Sequence, residues 1–181
     1  MNNGASSYHR FLNGDESGFE EIVNEYSKNL LYFINGFVSN MTIAEDLMED
    51  VFVDLIVHKN RYGGKSSFKT YLFAVARNKA VDYIRKNKKE VTLTFEDSSD
   101  MEELITSIIK TEKNKAVAKA LEGINREYKT VLMLIYFEDM SYEDISKILK
   151  KSNRQVKNIA YSARKSLKAI LEKEGFHYEE V

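Results

Sequence analysis

The sequence of 181 residues contains no cysteine, no proline and no tryptophan. Without cysteine, the chain cannot form disulfides, thiolate metal sites or a cysteine nucleophile, and this composition is typical of a reducing compartment. The three histidines, His9, His58 and His177, lack the spacing of metal ligands, so neither a metal site nor a cofactor is predicted. Because proline is absent, the turns must depend on glycine, asparagine and serine.

Long apolar runs are also missing. No stretch approaches the roughly 20 apolar residues that cross a bilayer. The N-terminus, MNNGASSYHRFLNGDESG, has neither the basic start nor the apolar core of a signal peptide. We therefore expect a cytoplasmic chain that is neither secreted nor membrane-spanning.

Charge is distributed unevenly, although the whole chain carries a net charge of only -1. Residues 1–58 contain ten acidic and two basic side chains, whereas residues 59–89 contain ten basic and one acidic. Residues 147–168 add eight basic side chains and no acidic one. Two separate basic segments indicate two contacts with a polyanion, the alternative being two solvated lysine faces.

Apolar residues recur at helical spacing through most of the sequence. One helix is expected after Asp15 as its N-cap, and a second from Ile43 carries an apolar stripe opposite acidic residues. The stripe consists of Ala44, Leu47, Met48, Val51, Phe52, Leu55 and Ile56. Further helical spacing follows at residues 104–121, whereas the strand-like segment at residues 90–97 stands alone. The sequence predicts an all-α protein of two small helical domains, residues 1–88 and 111–181, joined by a flexible linker at residues 89–110.

The clearest local motif is MSYEDISKILKKSNRQVKNIAYSARKSLKAIL, residues 140–171. Ser141 with Asp144 and Ser152 with Gln155 are typical of two successive helix starts. A short helix, a tight turn and a longer basic helix form the pattern of a helix-turn-helix, whose second helix reads the major groove of DNA. The alternative is a helical hairpin with a solvated lysine face.

A second unusual segment is SFKTYLFAVARNKAVDYIRKNKK, residues 67–89, which mixes aromatic side chains with lysine and arginine. On a helix, Phe68 and Leu72 belong to a buried stripe, while Lys69, Phe73 and Arg77 fall on another face. An exposed Phe73 ring among cations would stack on unpaired bases, as in proteins that bind single-stranded nucleic acid. The alternative places Phe73 and Tyr83 beneath a neighbouring helix.

These two segments together resemble the extracytoplasmic-function group of bacterial sigma-70 factors. Residues 44–89 are similar to sigma region 2 and residues 124–167 to sigma region 4, and the resemblance extends over residues 15–171. It implies a protein that joins RNA polymerase core, directs it to promoters and helps to melt them. It also implies an anti-sigma factor, often membrane-anchored, as a partner.

The resemblance further implies roles for three sets of residues. Docking on the clamp helices of the largest polymerase subunit falls to Glu45, Asp46, Glu49, Asp50 and Asp54. Binding of the minus-10 single strand falls to Arg61, Tyr62, Lys65, Ser67, Phe68, Lys69, Phe73, Arg77, Asn78 and Lys79. Reading of the minus-35 duplex falls to Arg154, Gln155, Lys157, Asn158, Tyr161, Arg164 and Lys165. Region 4 would also meet the flap of the second polymerase subunit.

Three departures from the family pattern stand out. Tyr71 occupies a position where many relatives carry tryptophan, the turn at Lys150 and Lys151 lacks the usual glycine, and the acidic segment at residues 96–103 has no assigned role. A lysine in a left-handed conformation would cost about 1 kcal/mol.

Two other functional classes stay open at this point. A stand-alone helix-turn-helix repressor, with an N-terminal dimerisation or sensing domain, would bind palindromic duplex without polymerase. An enzyme would need paired carboxylates, a nucleophile or a phosphate loop, and Gly63 with Gly64 is a weak signal for the last. The sequence therefore predicts a protein that is not an enzyme.

Overall fold

The computed structural model describes residues 4–87, 120–121 and 123–173. Within these residues all regular secondary structure is helical, in seven helices, which confirms the all-α prediction. The chain divides into two compact units, one built around the first four helices and the other around the fifth and seventh. The predicted linker at 89–110, its acidic segment at 96–103 and most of the predicted helix at 104–121 lie outside the described residues. The predicted domain limits therefore stay a prediction.

The first unit contains four helices: α1 Ala5–Leu12, α2 Ser17–Val38, α3 Met41–Val57 and α4 Phe68–Lys86. Short polar side chains cap two of them, because a helix start leaves amide groups without partners inside the helix. Asn40 accepts from the Ile43 amide at 3.0 Å, and Ser67 accepts from the Thr70 amide at 3.0 Å. The predicted N-cap Asp15 is wrong by one position, since the N-cap of α2 is Glu16, which makes no side-chain cap hydrogen bond. The Asp15 carboxylate accepts from the Ser17 amide at 3.1 Å.

The core of this unit surrounds α2, which contacts α1, α3 and α4. Most of the predicted stripe on α3 is buried against it. The buried members are Ala44, Leu47, Val51, Phe52 and Leu55. Ile56, however, is 44% exposed, so its predicted burial is wrong. Ile56 lies in the last turn of α3, beside exposed Val53 and Val57.

The predicted exposed ring of Phe73 is also wrong. Phe73 is 0% exposed, and its ring meets that of Phe33 edge-on at 5.0 Å between centroids. Because α4 packs against both α2 and α3, its buried arc is wider than one stripe and includes Phe73 as well as Phe68. Phe68 is 0% exposed too, as predicted for the stripe. Neither ring offers a face to a base, which removes both from the set of residues able to stack on a strand.

The C-terminal part of the described chain contains α5 Arg126–Tyr136, α6 Tyr142–Leu149 and α7 Asn153–Lys173. Both predicted helix starts are confirmed as reciprocal capping arrangements. Ser141 accepts from the Asp144 amide at 3.1 Å and donates to its carboxylate at 2.6 Å. Ser152 accepts from the Gln155 amide at 3.2 Å, and the Gln155 side chain accepts from the Ser152 amide at 2.8 Å. A short helix, a tight turn and a long basic helix are therefore present.

The turn between α6 and α7 depends on a left-handed lysine. Lys150 has φ 54°, and the Lys151 amide donates to the Ser146 carbonyl at 3.1 Å, which closes the end of α6. This closure usually uses glycine, because a side chain crowds the following carbonyl in that conformation. The sequence anticipated this conformation from the missing glycine.

We expect Lys150→Gly to stabilise the helix-turn-helix of α6 and α7 by about 0.5 to 1 kcal/mol, since relief of the left-handed conformation exceeds the entropy that glycine loses on folding. Thermal unfolding, together with hydrogen exchange in α6 and α7, measures this change. Lys151→Gly is the control at the neighbouring position, which is not left-handed. It removes an ion pair with Glu127 at 2.8 Å and relieves no left-handed strain, so we expect it to lose stability. A loss of stability in Lys150→Gly equal to that in Lys151→Gly would contradict the strain assigned to Lys150.

Candidate polymerase and nucleic-acid interfaces

The outer face of α3 combines acidic and apolar side chains. Four of the five predicted docking acids are exposed on it: Glu45, Asp46, Glu49 and Asp50. The exposed apolar residues Val53, Ile56 and Val57 continue along the same helix, with exposures of 53%, 44% and 65%. Exposed apolar groups beside charged ones are typical of a protein-binding surface.

Asp54, the fifth predicted docking acid, does not belong to this exposed surface. Its side chain is 17% exposed, and it accepts from Arg61 at 2.9 Å, with Lys79 at 4.0 Å and the His58 imidazole at 3.9 Å. Asp54 therefore links α3 to the segment after it and to α4. This placement argues against its predicted docking role. A half-buried carboxylate that already pairs with Arg61 and Lys79 gains little electrostatic energy from a further basic partner.

The segment of residues 61–68, which we call the 61–68 loop, lies between α3 and α4 and ends with the first residue of α4. Its tip is exposed. Gly63, Gly64 and Lys65 are exposed, and a side chain at either glycine would meet no atom within 4 Å. Gly64 has φ 71°, a conformation that favours glycine. The Tyr62 hydroxyl donates to the Ser66 carbonyl at 2.8 Å, which ties the two sides of the loop together. The tip is thus open to a ligand while its base is held.

Two half-buried tyrosines lie at the loop, Tyr62 within it and Tyr71 in the first turn of α4. The rings of Tyr62 and Tyr71 lie 5.2 Å apart, and both retain some exposed surface. Burial raises the pKa of Tyr62, and burial followed by the charge of Asp54 raises the pKa of Tyr71, so both hydroxyls keep their protons at neutral pH. Tyr71, which the sequence left out of the strand-binding set, is a better candidate for stacking than Phe73. The family resemblance, which led us to expect tryptophan at this position, was the available signal.

The remaining predicted strand-binding residues differ in how exposed they are. Arg61 and Lys65 are exposed, whereas the others on the loop and α4 are half-buried. The half-buried members are Tyr62, Ser67, Lys69, Arg77, Asn78 and Lys79. Arg77 donates weakly to the side-chain amide oxygen of Asn78 at 3.5 Å. The Tyr62 to Tyr71 ring contact and the ion pairs of Asp54 with Arg61 and Lys79 link the loop to α4, whereas Phe68 and Phe73 are buried.

The outer face of α7 is continuous and mostly free of acidic neighbours. All seven predicted minus-35 residues are exposed, and Tyr161 is 68% exposed. Val156, Ala160 and Ala163 are buried on the opposite face, as predicted. Two members have partners inside the protein: Gln155 caps α7, and Arg164 donates to the Tyr142 hydroxyl at 2.8 Å. The bond to Tyr142 raises the pKa of Arg164. Arg154, Lys157, Asn158, Tyr161 and Lys165 form the outward row.

Among the helices that the structure describes, none is long and apolar enough to span a bilayer.

Comparison with protein-family models finds two matches in one chain. Residues 22–90 match Sigma-70 region 2, and residues 114–167 match Sigma-70 region 4. The ECF RNA polymerase sigma factor SigM of Bacillus subtilis is 30% identical over 160 residues, which cover 83% of this chain and 93% of SigM. SigX of the same organism, also an ECF RNA polymerase sigma factor, is 25% identical and covers 87% of this chain and 85% of its own.

A solved structure supports the fold independently. It is the sigma factor RpoE of Bartonella quintana, determined in complex with the anti-sigma factor NepR. RpoE superposes with a TM-score of 0.62 at 20% identity, over 85% of this chain and 96% of RpoE. The two family regions, in the same order along one chain as the two helical units, agree with the sequence-based expectation and do not favour a stand-alone repressor. The chain belongs to the sigma-70 family, in its group of extracytoplasmic-function (ECF) RNA polymerase sigma factors.

Proposed function

We propose that this sigma factor binds RNA polymerase core through the exposed face of α3, captures the minus-10 strand at the 61–68 loop, and reads the minus-35 duplex with α7. The observation that carries the proposal is the presence of regions 2 and 4 in one chain, each with the surface that its role requires. An acidic face would repel DNA, so its presence beside two basic segments is explained by a protein partner.

Core docking is assigned to Glu45, Asp46, Glu49 and Asp50, supported by their shared exposure on α3. The neighbouring exposed apolar side chains, Val53, Ile56 and Val57, extend the surface. Acidic groups steer the encounter with a basic partner, while burial of the apolar groups supplies affinity. The partner surface is the clamp helices of the largest polymerase subunit.

Strand capture is assigned to the tip of the 61–68 loop together with the Tyr62 and Tyr71 pair. The open space over Gly63 and Gly64 accommodates a base that has left the duplex, and an aromatic ring beside it provides stacking surface. Asn78 and Lys65 offer amide and ammonium groups to base edges and phosphates. Strand capture of this kind favours the melted promoter over the closed one, because the duplex hides these base faces.

Duplex reading is assigned to the outward row of α7. Arg154 and Asn158 lie in its first two turns, where a helix inserted in the major groove meets base edges, and these side chains pair with guanine and adenine. Lys157 and Lys165 contact phosphates and fix the register. Region 4 also contacts the flap of the second polymerase subunit.

A protein inhibitor is a further proposed partner. The RpoE structure contains an anti-sigma factor, which supports the same form of control for this chain. The exposed apolar residues of α3 and the basic outer face of α7 are the surfaces that such a partner would cover. We place the chain in the bacterial cytoplasm, held at the inner face of the membrane when its anti-sigma factor is membrane-anchored.

Reconstitution of transcription tests the proposed function. Polymerase core with this protein is expected to initiate at a selected promoter, and core alone is not. Asn78→Ala is expected to slow promoter opening about tenfold, while binding to minus-35 duplex changes less than twofold, because only the opening step uses the strand-binding groups. Permanganate reactivity of thymines measures opening. Failure of the protein to bind core would overturn the proposal.

A further inference from the structure

We propose that α1 is a positioning element for the 61–68 loop, and that it acts through Tyr8. This inference rests on the proposed role of the loop in strand capture. The match to Sigma-70 region 2 begins at residue 22, so α1 lies outside it.

Tyr8 contacts the chain on both sides of the loop. It is 0% exposed, and its hydroxyl donates to the backbone carbonyl of Lys59, 51 positions later. Its ring meets Tyr62 edge-on at 5.6 Å and lies 4.8 Å from the ring of Phe68. One side chain therefore contacts Lys59, two positions before the loop, Tyr62 within it and Phe68 at its end.

The hydroxyl is suited to this role across the physiological range. Burial, with a smaller contribution from Tyr71, raises the pKa of Tyr8 to about 12. The phenol therefore keeps the proton that it donates, and the Lys59 carbonyl, which belongs to no helix, gains a fixed partner.

Phe11, one turn later on α1, contacts the same lysine from another direction. The Lys59 ammonium lies 4.5 Å from the centre of the Phe11 ring. Phe11 is 7% exposed, so its ring is itself fixed by packing. Both the backbone and the charged end of Lys59 are thus held by α1, two positions before Arg61.

The helix is firmly attached to α2. Ser7 donates to the Glu21 carboxylate at 2.7 Å, and Arg10 pairs with the same carboxylate. Gly18 allows the close approach, because a side chain there would lie 2.3 Å from the Ser7 carbonyl oxygen. Because α1 is attached to α2 in this way, its contacts with the loop position the loop relative to the core of the unit.

This attachment bears on strand capture because the loop would otherwise have many conformations. Residues 58–67 are not helical, and two adjacent glycines form the exposed tip. When only a fraction of molecules holds the binding conformation, the apparent affinity falls by that fraction. Tyr8 and the Asp54 to Arg61 ion pair both hold the base of the loop, which leaves the tip to adjust to the strand.

Tyr8→Phe tests the inference, because it removes the hydroxyl and keeps the ring. The matched control is Tyr26→Phe, which makes the same change in a buried tyrosine of α2 whose ring also contacts Phe68 at 6.1 Å. The probe is a forked promoter DNA with a single-stranded minus-10 segment, taken from a promoter that the wild-type holoenzyme transcribes. We expect Tyr8→Phe holoenzyme to bind this fork about fivefold more weakly, with affinity for core and for minus-35 duplex unchanged. We also expect at least threefold faster hydrogen exchange in residues 59–67 of the free chain, and Tyr26→Phe to match wild type in both assays.

The outcomes separate the inference from the proposed function. Unchanged loop exchange in Tyr8→Phe, or equal effects of Tyr8→Phe and Tyr26→Phe, would overturn the positioning role. Failure of wild-type holoenzyme to bind the fork would instead overturn the proposed strand-capture function, and the exchange measurement on the free chain would still decide whether α1 positions the loop.

Discussion

Reversal of two charges on α3, Glu49→Lys with Asp50→Lys, is expected to weaken binding to polymerase core by about a hundredfold. Each reversal replaces an attraction with a repulsion, and close charge pairs at interfaces couple by at least about 1.5 kcal/mol, so two together correspond to roughly 3 kcal/mol. Both side chains are exposed, so the variant should fold normally. Fluorescence anisotropy with labelled protein and purified core, at fixed ionic strength, measures the affinity.

The same change in net charge can be made away from the proposed docking face. Glu20→Lys with Glu25→Lys alters two exposed acids of α2 and is expected to change core affinity less than threefold. A similar loss in both double variants would mean that overall charge, and not the face of α3, determines docking. The assignment of that face would then be wrong.

Phe73→Ala is expected to destabilise the first unit by about 3 to 5 kcal/mol, the range for removing a fully buried aromatic side chain. The ring is 0% exposed and packs against Phe33, so its loss leaves a cavity between α2 and α4. This is a large share of the stability of a typical domain. Hydrogen exchange in α2 and α4, followed over increasing urea concentration, reports on the first unit separately from the second.

Phe73→Leu distinguishes packing from stacking on DNA. Leucine keeps most of the volume, so we expect a loss of less than about 1.5 kcal/mol and strand binding within twofold of wild type. If Phe73 instead stacked on a base, leucine would weaken strand binding strongly and leave stability unchanged. The second result would contradict the buried placement.

Features that depend on neighbouring residues in the sequence could be predicted well. The helix starts at Ser141 and Ser152 were both anticipated, because a capping side chain and its amide partner lie three positions apart. A left-handed lysine in the turn at Lys150 and Lys151 was anticipated from the missing glycine, and it is Lys150. The buried and exposed faces of α7 follow from one helical period, since a single neighbouring surface covers it.

Features that depend on distant contacts could not be predicted. Phe73 is buried because α4 meets two helices, and periodicity within α4 cannot reveal how many neighbours it has. Asp54 lies 25 positions from Lys79, and Tyr8 lies 51 positions from the carbonyl that it contacts. Phe73 and Asp54 were each assigned from their own segment alone, where an acid on an acidic helix is grouped with that helix's surface, and Tyr8 received no assignment.

The two roles predicted for Gln155 compete for the same side chain. Gln155 was predicted both to cap α7 and to read a base. In the structure its side-chain amide oxygen accepts from the Ser152 backbone amide. A side chain that completes a helix start is already oriented by the backbone. For that reason Arg154 and Asn158 are the stronger candidates for contacts with base edges.

The placement of Asp54 has a consequence for which polyanions this protein accepts. Arg61 and Lys79 share an internal counter-ion, so a phosphate that binds either cation competes with the Asp54 carboxylate. Under the proposed role of the loop, this competition lowers the electrostatic affinity for every nucleic acid by the same factor. Occupancy of the loop would then depend on the stacking and base contacts that a correctly placed strand adds.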